Sequence, residues 1–134
     1  MYLLEDILQE IGDTTPKFQE NKLYSWNDLP TQVKEDVISQ YSYDDEVSEG
    51  ITKFKFKFKF LNKEQLENIF KQEMIDPIQL VKETPELMEN IKEYGVKYPA
   101  VGETYLSSIA WTEGKHRMAV CYVLEISCPY FEII

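Results

Sequence analysis

The chain has 134 residues, with 24 acidic against 14 basic side chains and a formal charge of -10 at pH 7. That length predicts a single core, and 43% hydrophobic with 13% aromatic residues is too much apolar material for a disordered acidic tail. The negative field argues against non-specific nucleic-acid binding, and no run of 18 apolar residues is present to span a membrane. Glu5, Asp6 and Glu10 stand where a secretory leader would need positive charge, so the expected location is cytoplasmic. Cys121 and Cys128 support neither a zinc site nor a disulfide framework and are expected reduced and buried. All basic residues but one are Lys; the single Arg, Arg117, directly follows the single His, His116.

Leu4, Ile7, Leu8 and Ile11 recur at helical spacing before Gly12 and predict a short amphipathic helix. In Trp26–Tyr41, Asp28 is placed to cap a second helix with Pro30 in its first turn and Leu29, Val33, Val37 and Tyr41 on one face. Ser42 to Gly50 is an acidic, turn-rich loop. Lys53 to Phe60 alternates Lys and Phe, which predicts a strand with Phe54, Phe56, Phe58 and Phe60 on the core face. Its lysine row reads as a solvated face that discourages edge pairing, or as a wall for an anionic partner.

Asn62 can cap a helix that buries Leu66, Ile69 and Phe70, and Met74 to Leu80, with Asp76-Pro77, reads as a short edge strand or extended segment. Thr84-Pro85-Glu86 opens a further helix with Leu87, Ile91 and Tyr94 as its buried stripe and Gly95 as its stop. Pro99–Val101 and Tyr105–Trp111 predict two strands around a turn at Gly102-Glu103. A helix from Lys115, buried nearly all round, and a strand from Pro129 to Ile134 complete the chain. The fold class is α+β, a small mixed sheet with packed helices.

The chemically suggestive feature is the run Glu113-Gly114-Lys115-His116-Arg117, a strand passing through glycine into a helix start. Cationic side chains are disfavoured there because the helix N-terminus already carries about half a positive charge. An anion seated among Gly114, Lys115, His116 and Arg117 would reverse that penalty, using free backbone N–H groups and a bidentate Arg. Against this, Arg117 can serve as a structural ion pair with Glu113, Glu103 or another carboxylate. On a catalytic version of the ligand reading, Arg117→Ala abolishes turnover and leaves the fold intact.

From about Met74 onward the chain resembles the ParB/sulfiredoxin-like superfamily domain. The resemblance rests on Ile75-Asp-Pro-Ile, Leu87 and Ile91 before Gly95, Pro99-Ala-Val101, Ile109-Ala-Trp111, Glu113-Gly-Lys-His-Arg-Met-Ala119 and the final Cys-Pro-Tyr-Phe-Glu-Ile. It implies a core over residues 74–134 with residues 1–73 as an N-terminal elaboration in one compact unit. It also implies phosphate binding at Gly114, Lys115, His116 and Arg117, with a nucleotide of the ATP or CTP class and Mg²⁺ as ligand. Phosphotransfer or nuclease activity is what some relatives imply, with Glu113 and His116 as catalytic groups. Glu113 would bind Mg²⁺ or act as a base and His116 would act as acid or phosphate ligand, or else Glu113 only orients Arg117 or Lys115. Lys115 stands where sulfiredoxins have their reactive cysteine, and no helix-turn-helix follows, so sulfinic-acid reduction and sequence-specific DNA binding are not expected. The alternative reading, from the charge, is a non-catalytic acidic interaction protein. It would be a phage or mobile-element accessory that mimics DNA or inhibits a host protein.

Overall fold

The computed structural model describes residues 18–41, 50–105 and 108–134. The helix expected over residues 2–11 and most of the acidic loop expected over 42–50 lie outside the described residues.

Alternating Lys and Phe form a strand that lies second from one edge of the sheet. Strand β2 (Lys55–Leu61) pairs antiparallel with β1 (Leu23–Ser25) on one side and with β5 (Cys128–Ile133) on the other. On its far side β5 lies parallel to β3 (Ala100–Tyr105), and β3 pairs antiparallel with β4 (Ser108–Glu113). The sheet order is β1-β2-β5-β3-β4. The N-terminal and C-terminal parts of the chain therefore share one mixed sheet, and the fold is α+β.

The period of two sorts the sheet residues to two faces. Phe56, Phe58, Val101, Phe131 and Ile133 are buried with Leu29, Val33 and Val37 of the segment leading into helix α1 (Thr31–Tyr41) and of the helix itself. On the opposite face Leu61, Ala100, Cys128 and Tyr130 meet Leu66, Ile69 and Phe70 of α2 (Lys63–Glu73) and Met118, Ala119 and Cys121 of α5 (Lys115–Leu124). Helix α4 (Pro85–Tyr94) adds Leu87 and Ile91 against Val120 of α5. Each large apolar side chain buried this way contributes about 1.5–3 kcal/mol. Both cysteines are buried, and neither forms a disulfide. No helix among the described residues is long and apolar enough to cross a membrane.

Several local expectations are corrected. The segment Met74 to Leu80 is not an edge strand: helix α3 (Pro77–Glu83) starts there, because Asp76 caps it, accepting from Ile78 N (3.0 Å) and Gln79 N (3.4 Å), and Pro77 fills the first position. Asp28 does not cap α1; it closes a 3-10 turn (Trp26–Asp28) by accepting from Ser25 N (3.0 Å) and Oγ (2.9 Å). Thr84 stands at the N-cap of α4 but makes no side-chain cap bond, since its hydroxyl donates back to Leu80 O (3.2 Å). Tyr94 is 69% exposed, past the reach of the Leu87, Ile91 and Val120 cluster. Phe60 is 45% exposed at the end of β2 opposite Pro129, its ring set edge-on to Phe58. The lysine row is not simply solvated, because Lys59 Nζ pairs with Glu132 Oε1 at 2.9 Å.

Gly102 and Glu103 do not form a turn; both lie inside β3. A Cβ on Gly102 would run into the Tyr130 hydroxyl from β5 and into Trp111 O. The glycine thus makes room for a neighbouring strand's aromatic ring. Beyond β3, edge strand β4 is met by the end of α2: Ile109 N donates to Gln72 Oε1 (2.9 Å), Thr112 N donates to Glu73 Oε1 (3.1 Å), and the Thr112 hydroxyl donates to Glu73 Oε2.

Candidate functional site

Strand β4 ends at Glu113, and α5 begins two residues later. Gly114 joins them at φ +89°, a left-handed conformation that side chains resist. The turn is also tight: a Cβ on Gly114 would stand 2.7 Å from Arg117 Nη2 and 3.1 Å from Ala100 Cα. Asn62 and Asp76 cap α2 and α3 with their side chains, whereas no side chain caps α5. The first-turn amides of α5, by helix geometry, have no intrahelical acceptor.

Arg117 does not project into solvent. It is 1% exposed, and its guanidinium turns back over Gly114. Its Nη2 donates to Asp36 Oδ2 of α1 (2.8 Å) and its Nη1 to Tyr98 O (3.0 Å). The Asp36 side chain is itself mostly buried, and its second oxygen accepts from Gln32 Nε2 (3.0 Å). Of the carboxylates named from sequence, neither Glu113 nor Glu103 forms this pair; the partner comes from 81 residues earlier in the chain. The expectation that Arg117→Ala leaves the fold intact is therefore corrected, because that change strands a buried carboxylate.

Glu113 accepts a hydrogen bond from the Gln40 amide. Burial pushes its carboxyl above the ordinary value, the Gln40 hydrogen bond opposes that shift, and the Asp36 charge adds to it; Lys115 and Arg117 pull it back down. Glu103 accepts from the Tyr41 hydroxyl and from Trp111 Nε1 (3.0 Å). His116 faces another element: its Nε2 lies 3.1 Å from Glu83 Oε2, at the end of α3.

The structure thus brings Glu113, Gly114, Lys115 and Arg117 into one cluster and directs His116 toward α3. Sequence reasoning missed Asp36, Gln40 and Glu83. A signal for the first two exists: Gln32, Asp36 and Gln40 repeat every fourth residue, forming a polar stripe beside the apolar Val33 and Val37. Glu83 was hidden because the first half of its helix was read as extended and residues 81–83 were given no element.

These residues do not compose a resident metal centre. Among the described residues no three His, Cys, Asp or Glu side chains converge on a common point. Asp36 is committed to Arg117, and the burial that favours a protonated Glu113 works against its service as a metal ligand. Comparison with protein-family models, with curated proteins and with solved structures finds no match to this chain.

Proposed function

We propose that the protein binds a small phosphorylated ligand at the Gly114 turn, in the cytoplasm, with a nucleotide as the leading candidate. The observation that carries this reading is the joining, at one turn, of an uncapped helix start with Lys115 and a perturbed carboxyl at Glu113. The sequence resemblance to ParB/sulfiredoxin-like domains points to the same turn. In this reading Lys115, Arg117 and the first-turn amides contact the ligand, and His116 joins them by leaving Glu83. Any Mg²⁺ arrives with the ligand's phosphates, in keeping with the lack of three converging ligands in the described chain. Glu113 and His116 are the groups through which a proton would move if the bound ligand reacts, Glu113 because its carboxyl is held toward the protonated form.

The second reading, a non-catalytic acidic protein that engages a basic partner, is favoured by a different observation. Two basic side chains of the turn already face the chain's own carboxylates, Arg117 meeting Asp36 and the His116 ring meeting Glu83. A nucleotide panel with and without Mg²⁺, read by thermal shift on wild type and Lys115→Ala, separates the two. Ligand at 100 times its dissociation constant adds about 2.7 kcal/mol of apparent stability. On the first reading one nucleotide class stabilises the wild type and Lys115→Ala weakens that effect. No shift with any nucleotide, together with salt-sensitive retention on a polylysine matrix, leaves the acidic interaction reading standing instead.

A further inference from the structure

We infer that Asp36 is an internal ligand: its carboxylate holds the anion position of the Gly114 turn, and an incoming phosphate must displace it from Arg117. This rests on the phosphate reading of the turn and names what controls that site. Arg117 Nη2 lies at the turn, since a Cβ on Gly114 would come within 2.7 Å of it, and that same nitrogen holds Asp36 Oδ2 at 2.8 Å. A carboxylate is thus already seated on the turn's guanidinium, and the chain itself supplies it.

The contact belongs to a larger latch. Helix α1 reaches the end of the sheet with three polar side chains: Asp36 to Arg117, Gln40 to Glu113 and Tyr41 to Glu103. Glu113 also stands near Asp36, and its carboxyl is pushed up partly by the Asp36 charge. Asp36 on Arg117 and Gln40 on Glu113 leave the polar groups of the closed turn partnered. A phosphate, with more charge and three acceptor oxygens, competes for Arg117 best when Asp36 moves away. The affinity seen from outside is then the intrinsic affinity reduced by the fraction of molecules with the latch open.

The test compares inorganic phosphate binding to wild type and Asp36→Asn, against sodium chloride at equal ionic strength, by calorimetry and by thermal midpoint. Asparagine keeps the shape and removes the charge, so the variant is expected to bind phosphate about tenfold more tightly or better. If Asp36→Asn is poorly folded alone, phosphate is expected to restore it by replacing the lost anion, and failure to do so overturns the inference. In the wild type, phosphate is expected to speed amide hydrogen exchange in α1, and unchanged α1 protection at saturating phosphate also counts against it. Wild type and a folded Asp36→Asn binding phosphate equally well would leave the phosphate site standing and remove Asp36 from its control. Neither protein responding to phosphate or to any nucleotide would overturn both.

Discussion

Arg117 decides how the turn is read, because a single guanidinium is asked to be either a ligand contact or a structural bolt. Its burial makes it at least a bolt. Arg117→Met is expected to destabilise the fold by about 3 kcal/mol in urea titration, since it leaves the mostly buried Asp36 without its counter-charge. The double variant Asp36→Asn/Arg117→Met should recover most of that loss, as both charges are gone; a double variant as unstable as the single would show that the cost is packing. Glu113 makes a prediction about pH. Its folded carboxyl titrates above the ordinary 4.5, so between that value and the raised one the native state holds more protons than the unfolded chain. Stability contributed by the protonated group is therefore full below about pH 4.5 and falls as pH rises through the window. Glu113→Gln, which keeps an acceptor for Gln40, should gain on the wild type as pH climbs from 4.5 to 7 and show no such gain below 4.5. Chemical melts across that range check the sign. At Tyr130 the phenol oxygen is buried without a hydrogen-bond partner among the described residues, and burial holds it well above the usual tyrosine range. Tyr130→Phe is expected to be neutral or stabilising by up to about 1 kcal/mol, and it should soften the damage done by Gly102→Ala. A Tyr130→Phe variant that melts well below wild type would mean the hydroxyl has a partner not seen here.

At the scale of elements, the sequence was most legible where a local rule and the tertiary environment agree. Asn62 announces α2 because Gln65 three residues later completes a reciprocal cap, Asn62 Oδ1 accepting from Gln65 N (2.9 Å) and Gln65 Oε1 from Asn62 N (2.8 Å). Strand β2 was legible from its period, and the α5 start from Gly114. The misread α3 shows the opposite situation, since Asp76-Pro77 satisfies two rules at once: proline suits an edge strand, and it suits the first position of a helix whose cap precedes it. Only the Asp76 hydrogen bonds decide between them. Asp76→Ala is accordingly expected to cost about 1 kcal/mol and to fray α3, lowering amide protection at Ile78 and Gln79. That fraying should also loosen His116, whose partner Glu83 is the last residue of the same helix. The candidate site was half legible for a related reason. Its contiguous members, Glu113 to Arg117, are visible in one stretch of sequence, whereas Asp36 and Gln40 meet them only because α1 crosses the sheet to reach that end.

For the whole molecule, one mixed sheet joins an N-terminal part to a C-terminal part, and α1 on one face reaches residues that open α5 on the other side of the chain's connectivity. A ligand at Gly114 would therefore report to the N-terminal part through Arg117 and Asp36. The last turn of α2 has a consequence of a different kind. An edge strand with free N–H groups is a template on which other chains can polymerise, and β4 has two of those groups occupied by Gln72 and Glu73. Growth of the sheet by a foreign strand would first have to evict these side chains. Glu73→Ala should therefore leave the monomer folded yet raise its tendency to form thioflavin-positive assemblies on prolonged warming, turning a sealed border into a seeding surface.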